Sequence, residues 1–198
     1  TADGAFLVKQ YNKERFKKYR LDELLLALAQ QLRLRERGVP CPALLADGGE
    51  VMHITDRGER YVVMDFCSGA SPLPGKASSQ EMGDLGHVAG LMHRVLNDGT
   101  LPAAPSPQFV SPGKDEQLAH WREVAERAAQ SGKPEIARLA ELQAAAVESF
   151  DVEALRGCRT GWAHRDLWVD NLLFERGAVS AVLDWDRMKF DYPELDMA

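Results

Sequence analysis

The chain has 198 residues, 45% hydrophobic and 27% charged, with a formal net charge of −6. That length can bury the core of one domain or two packed lobes, and the composition excludes disordered, fibrous and collagenous classes. The negative balance argues against a general nucleic-acid binder, and no run of about 18 apolar residues is present to span a membrane.

The charge is unevenly spread. Residues 1–40 hold nine Lys/Arg against five Asp/Glu, while residues 151–198 hold six against ten. A basic front and an acidic back suit an anionic ligand at one end and metal ions at the other; two solvated surfaces explain the same numbers. Cys41, Cys67 and Cys158 lie far apart with no metal-binding spacing, and an odd count without a leader segment implies a reducing cytoplasm. The chain begins at Thr1 and stops at "ELDMA", so both ends read as cut from a longer protein.

Taken in order, "AFLVKQY" (5–11) predicts a strand, and residues 12–20 are basic and polar. Residues 21–38 predict a long helix, with Asp22 as its cap and Gly38 as its stop. "VPCPALL" is held extended by its prolines. Strands at 50–55 and 60–66 flank the turn "DRGE", and "CSGASPLPGKASS" is a loop. An amphipathic helix follows over 79–97, then a Pro-rich excursion over 98–114, then helices near 115–130 and 134–149. The last part reads as a short strand or turn at "GWA", a charged loop, the strand "NLLFE", a turn at Arg176-Gly177 and the strand "VSAVLDW". There is no internal repeat.

The chemistry concentrates in "HRDLWVDNLLF", residues 164–174. This loop opens a hairpin whose second strand ends in Asp184-Trp185-Asp186. A hairpin brings its ends together, so Asp166 and Asn171 should meet Asp184. Hard oxygen ligands gathered in this way suit Mg²⁺, which keeps its remaining sites for water and phosphate oxygens.

His-Arg-Asp-Leu-x-x-x-Asn is the pattern of a kinase catalytic loop. With Asp-Trp-Asp in place of Asp-Phe-Gly, the chain resembles the aminoglycoside phosphotransferase and choline kinase superfamily, small-molecule kinases of protein-kinase-like fold. "ERGVPCPALL", "GLMHRVL" and "FDYPELDMA" resemble further segments of that superfamily, in the expected order. The resemblance implies an α+β, protein-kinase-like bilobal fold that is truncated at both ends. A small β-rich N-lobe with one long helix (1–66) would hold nucleotide, and a larger, mainly helical C-lobe (67–198) would carry the catalytic loop, metal site and acceptor site.

The activity it implies is transfer of the γ-phosphate of ATP, or GTP, with Mg²⁺, to a hydroxyl of an antibiotic, amino alcohol or sugar. Asp166 would take or orient the acceptor proton. Asn171 and Asp184 would bind metal, with Asp186 an additional contact. Lys9 would hold the α- and β-phosphates; a solvent-facing edge-strand lysine is the plainer alternative. Its helix partner is open: Glu23 can reach, the family spacing falls near Ala27, and Gln30 or Gln31 could substitute. Adenine would face the main chain of Asp65 and Cys67, with Met64 behind it. His164 would pack under the loop and bond the backbone, with His53, His87, His93 and His120 structural or exposed. Asp170 could be only a turn acid, and Asp191 and Asp196 a turn and a helix cap. Trp168 could line the acceptor site or act as core or lid.

The chain departs from the family pattern in having no Gly-rich loop before Lys9 and no helices after "DMA". A non-enzymatic relative, such as a spore-coat-like scaffold, is the alternative reading, and a protein kinase is disfavoured by Asp-Trp-Asp and the absence of an Ala-Pro-Glu segment. The partners expected are a nucleoside triphosphate and a small hydroxyl-bearing acceptor, with neither nucleic acid nor membrane. The oligomeric state is not readable.

Overall fold

Short runs of apolar and aromatic residues build a three-stranded antiparallel sheet first. The computed structural model describes residues 4–73, 75–104, 106–110, 112–151, 154 and 157–197. Thr1 and Ala198, the end residues behind the expectation of trimmed ends, lie outside the described residues. Strands β1 (Phe6–Gln10), β2 (Met52–Ile54) and β3 (Arg60–Asp65) are ordered β1-β3-β2. Lys9 and Met52 both register with the fully buried Val62 of the central strand. All three expected strands contract to these cores, although the Tyr11 N–H still donates to the Arg60 carbonyl at 2.9 Å.

Residues 12–20, read from the sequence as basic and polar, contain a short helix, α1 (Lys13–Phe16), that carries the aromatic Phe16. Asn12 nucleates it by accepting from the N–H groups of Glu14 and Arg15. Helix α2 (Leu21–Glu36) forms as predicted, but Asp22 is not its cap. The cap position falls on Arg20, which makes no side-chain cap bond; Asp22 lies in the first turn and pairs with Arg20 at 2.8 Å. There its charge meets the positive end of the helix dipole. Gly38 does end the helix: its φ of +86° lets the Val39 N–H reach back to the Leu34 carbonyl.

Helix α2 has two apolar faces. Leu24 and Leu28 pack with Tyr11, Leu44, Met52 and Val62 beside the sheet. Ala27 and Leu34 join a second cluster with helix α3 (Ser79–Leu96), which buries Val88, Ala89, Met92, Val95 and Leu96 along one stripe. A capping box between Ser78 and Glu81 starts α3. Each large apolar side chain buried in these clusters contributes roughly 1.5–3 kcal/mol. The "VPCPALL" segment straps the clusters together. The Val182 N–H donates to Pro40, Leu45 donates to Val63, and Val39 and Cys41 are fully buried. Burial pushes the Cys41 thiol up to about 12.

Strand β4 (Gly161–Ala163) precedes the hairpin of β5 (Leu172–Glu175) and β6 (Ala178–Val182). Arg176 and Gly177 both have positive φ, the two-residue hairpin turn whose twist matches the strands. The second strand stops at Val182 rather than running through Trp185. Asp184 is left-handed (φ 59°, ψ 60°), and a 3-10 turn follows over Trp185–Arg187. A strand the sequence did not announce, β7 (Lys189–Asp191), pairs antiparallel with β4, and a 3-10 turn covers Pro193–Asp196.

These elements belong to one compact unit, within Thr1–Pro107 and Thr160–Ala198. A second unit, Gln108–Arg159, holds helices α4 (Lys114–Gln130) and α5 (Pro134–Ser149), close to their predicted bounds. Gly132, with φ +68°, breaks between them and Pro134 starts α5. The small buried residues Ala128, Ala137 and Ala140 let the two helices approach, and Arg122 pairs with Glu148 at 3.0 Å.

Candidate active site

The hairpin brings its two ends together. Leu172 registers with Val182, and the Leu183 N–H donates to the Asn171 carbonyl at 2.8 Å. That bond fixes Asn171 beside the backbone leading into Asp184. The Asn171 amide donates to the Asp166 carbonyl at 2.8 Å and to Asp166 Oδ2 at 3.2 Å. The carboxamide nitrogen is thus committed to the loop, and its oxygen is the atom left for a cation. Arg187 Nε stands 3.7 Å from the same Asp166 Oδ2, its side chain largely exposed.

Lys9 points from β1 at both acids of Asp184-Trp185-Asp186. Its Nζ lies 2.5 Å from Asp184 Oδ1 and 2.6 Å from Asp186 Oδ2. Tyr11 Oη donates to the other oxygen of Asp186 at 3.1 Å. Burial lowers the Lys9 pKa, but the charges of Asp186 and Asp184 more than reverse it and hold the ammonium above its ordinary value. Burial, with Asp186 beside it, pushes the Tyr11 phenol strongly up. Asp186 is raised by burial, which the Lys9 charge opposes.

A buried scaffold holds the loop. His164 is fully buried; its Nδ1 accepts from the Asp166 N–H at 3.2 Å and its Nε2 lies 3.0 Å from the Leu183 carbonyl. This pair of bonds requires the neutral ring with its proton on Nε2. Burial lowers the His164 pKa in the same sense, and the ring rests edge-on against Trp185. The expectation that His164 packs under the loop agrees with these contacts. Asp196 accepts from the N–H groups of His164 at 2.8 Å and Arg165 at 2.7 Å, and from His93 Nε2 at 2.9 Å. Burial raises the Asp196 pKa, but these bonds outweigh it and leave the carboxyl below its ordinary value. Arg165 takes a left-handed φ of 68°, and its Nε lies 2.8 Å from the fully buried Asp191.

Other expected residues lie elsewhere. Glu23 does not meet Lys9. It bonds Lys189 of β7 and stands 3.9 Å from Arg20, because Lys9 is already taken by the two aspartates. Gln31 donates to the Pro42 carbonyl and Gln30 accepts from Arg33, so neither substitutes. The Asp65 side chain is occupied structurally: Oδ1 accepts from the Ala43 N–H at 2.5 Å and Oδ2 faces Arg35. Met64 packs half-buried beside the sheet cluster, and Cys67 is half-buried with its thiol raised by burial. Asp170 lies exposed in the 3-10 turn Val169–Asn171, and Trp168 is exposed.

Tyr11, Lys189, Arg187 and the His93–Asp196 pair are the contacts that sequence reasoning missed. Tyr11 carried one signal: it follows Lys9 by two residues, so a strand puts both on one face.

Among the described residues no group of three or more His, Cys, Asp or Glu side chains is arranged to hold a metal alone. Two carboxylates nevertheless converge on one positive point, now the Lys9 ammonium, with the Asn171 carboxamide on the adjoining strand end. That donor set fits Mg²⁺, which takes few protein oxygens and fills its shell with water and phosphate.

Comparison with known proteins decides the family. The phosphotransferase enzyme family (APH) matches residues 1–198. The chain belongs to that family. Among solved structures, this phosphotransferase-family chain resembles an aminoglycoside phosphotransferase from Alicyclobacillus acidocaldarius (TM-score 0.64, 14% identity, 97% of this chain and 59% of that one). It also resembles the amicoumacin kinase hAmiN, solved with AMP-PNP, Ca²⁺ and Ami (TM-score 0.60, 13% identity, 97% and 55%). Choline kinase from Cryptosporidium parvum is a third (TM-score 0.50, 19% identity, 97% and 54%). At these identities the likeness establishes a mixed helix-and-strand, kinase-like fold. The chain spans between 54% and 59% of the length of these three proteins. No curated protein gives a significant match. Among the described residues, no helix is long and apolar enough to cross a membrane.

Proposed function

We propose that this phosphotransferase-family chain forms the nucleotide- and metal-holding part of an ATP-dependent kinase acting on a hydroxyl of a small molecule. Antibiotics, amino alcohols and sugars are the acceptor classes in view, and GTP is the second candidate donor. The observation that carries the reading is the convergence of Lys9, Asp184 and Asp186 on one point, beside a hairpin mouth that ties Asn171 to Asp166. A purely structural protein has no physical need to gather these groups on one side of a hairpin.

The transfer forms a bond from the acceptor oxygen to the γ-phosphorus and breaks the bridging bond to the β-phosphate. Lys9 exchanges its aspartates for the α- and β-phosphate oxygens. Asp166 orients the acceptor hydroxyl and takes its proton as the oxygen–phosphorus bond forms. Asn171, Asp184 and Asp186 would hold Mg²⁺, which when bound neutralises charge on the phosphate oxygens. Catalysis is then mainly positioning and charge compensation. The main chain of Asp65 and Cys67, backed by Met64, receives adenine in this proposal. Residues 1–66 act as the nucleotide lobe of a bilobal kinase and 67–198 as the lobe with the catalytic loop. A cytoplasmic setting, which supplies ATP and Mg²⁺, belongs to the same proposal.

Isothermal titration of Mg·ATP into the protein, beside an Asp184→Ala variant, tests it. Metal-dependent binding that the variant loses is the expected result. A folded protein that binds neither Mg·ATP nor Mg·GTP would refute the kinase reading.

A further inference from the structure

We infer that Tyr11 is a positioning residue of the candidate metal site, its hydroxyl orienting the Asp186 carboxylate for a metal–nucleotide complex. The inference rests on the proposed kinase reading and names a residue to which that reading assigns no part.

The geometry comes from the strand. Residues two apart share a face of a β-strand, so Lys9 and Tyr11 project together from β1 and its continuation. They hold the two oxygens of one carboxylate separately, Lys9 on Oδ2 at 2.6 Å and Tyr11 on Oδ1 at 3.1 Å. Asp186 and Tyr11 are both buried, so neither reaches the other through solvent. The Tyr11 ring is itself held. It packs edge-on against Phe16 at 5.7 Å and Tyr19 at 6.1 Å, and sits in the cluster with Leu24, Leu28 and Val62. The hydroxyl therefore leaves an apolar anchor in one direction, toward Asp186.

The two contacts differ chemically. Lys9 is a cation, and both the nucleotide phosphates and the incoming metal compete with its hold on Asp186. A phenol is a neutral donor: it fixes the plane of the carboxylate without cancelling its charge or repelling a cation. When Lys9 turns to phosphate, the Tyr11 bond is the one that remains. Donors of this kind behind a metal-binding carboxylate typically carry tenfold or more in metal affinity.

The probe is Mn²⁺ with ATP, titrated into the wild-type protein, Tyr11→Phe, Asp186→Asn and the double variant, with ATP in EDTA as the metal-free arm and thermal unfolding as the fold check. Tyr11→Phe is expected to keep its fold and to weaken Mn·ATP binding on the order of tenfold. It should leave metal-free ATP binding unchanged and add less than about twofold in the Asp186→Asn background, the non-additivity of a residue acting through another. Unchanged Mn·ATP binding overturns the inference. So does an equal loss in both backgrounds or with metal-free ATP, and so does a Tyr11→Phe chain that no longer folds, which would make the hydroxyl structural. A wild-type protein that fails to bind Mn·ATP removes the kinase reading together with this one; wild-type binding with an indifferent Tyr11→Phe removes this one alone.

Discussion

Lys9 Nζ bridges Asp184 Oδ1 and Asp186 Oδ2, joining the first strand to the turn after the last hairpin. The Asp186 side chain is only 5% exposed, so its charge depends on this partner. Lys9→Met should therefore destabilise the fold by about 2 kcal/mol, chiefly through the buried carboxylate left without a counter-charge. Adding Asp186→Asn should recover at least half of that loss. Urea unfolding of the two single variants and the double variant measures it, and full additivity would show that the pair does not act as a unit.

Asp184 holds a left-handed backbone, which costs a non-glycine residue on the order of 1 kcal/mol. Asp184→Gly should be more stable than Asp184→Ala by about that amount, although neither retains the carboxylate. Both should lose Mg·ATP binding under the proposed function. Thermal unfolding ranks the two, and a more stable Ala variant would show that the backbone there is unstrained.

Asp196 satisfies two buried N–H groups of the loop as well as His93. Asp196→Ala leaves both without an acceptor, at about 3 kcal/mol in total. The local readout is amide exchange: the His164 and Arg165 amides should lose protection while the β1–β3 amides keep theirs. Unchanged protection at His164 would refute the anchoring role.

His164 ties stability to pH. Its pKa is lowered below the ordinary 6.5 by burial, so the unfolded chain binds the proton more readily than the folded one. Its contribution is fully present above about pH 6.5 and is lost as pH falls from there through the folded-state value. The unfolding midpoint should drop on acidification below pH 6.5. His164→Asn, which keeps a donor for the Leu183 carbonyl, should flatten that slope. An equally steep slope in the variant would assign the effect to other groups.

Much of the molecule was determined locally. Gly38 ends α2, Ser78 and Glu81 start α3, Pro134 starts α5 and Arg176-Gly177 closes the hairpin, because each depends on backbone angles and hydrogen bonds within a few residues. The meeting of Asn171 with the chain before Asp184 was legible for the same reason: a two-residue turn fixes which residues face each other. What the tertiary structure alone decided were the partners. Lys9 chose Asp184 and Asp186 over Glu23, Glu23 went to Lys189, and Asp196 came under the His164 loop from 32 residues away. Strand β7 exists because β4 is there to pair with it, and three residues carry too little pattern to announce a strand. Charge type and spacing narrow an ion pair to a set of candidates. Only the packing of α2 and the hairpin around Trp185 determines which of them share a buried, low-dielectric site, where pairing is strongest and leaving a charge unpaired costs most.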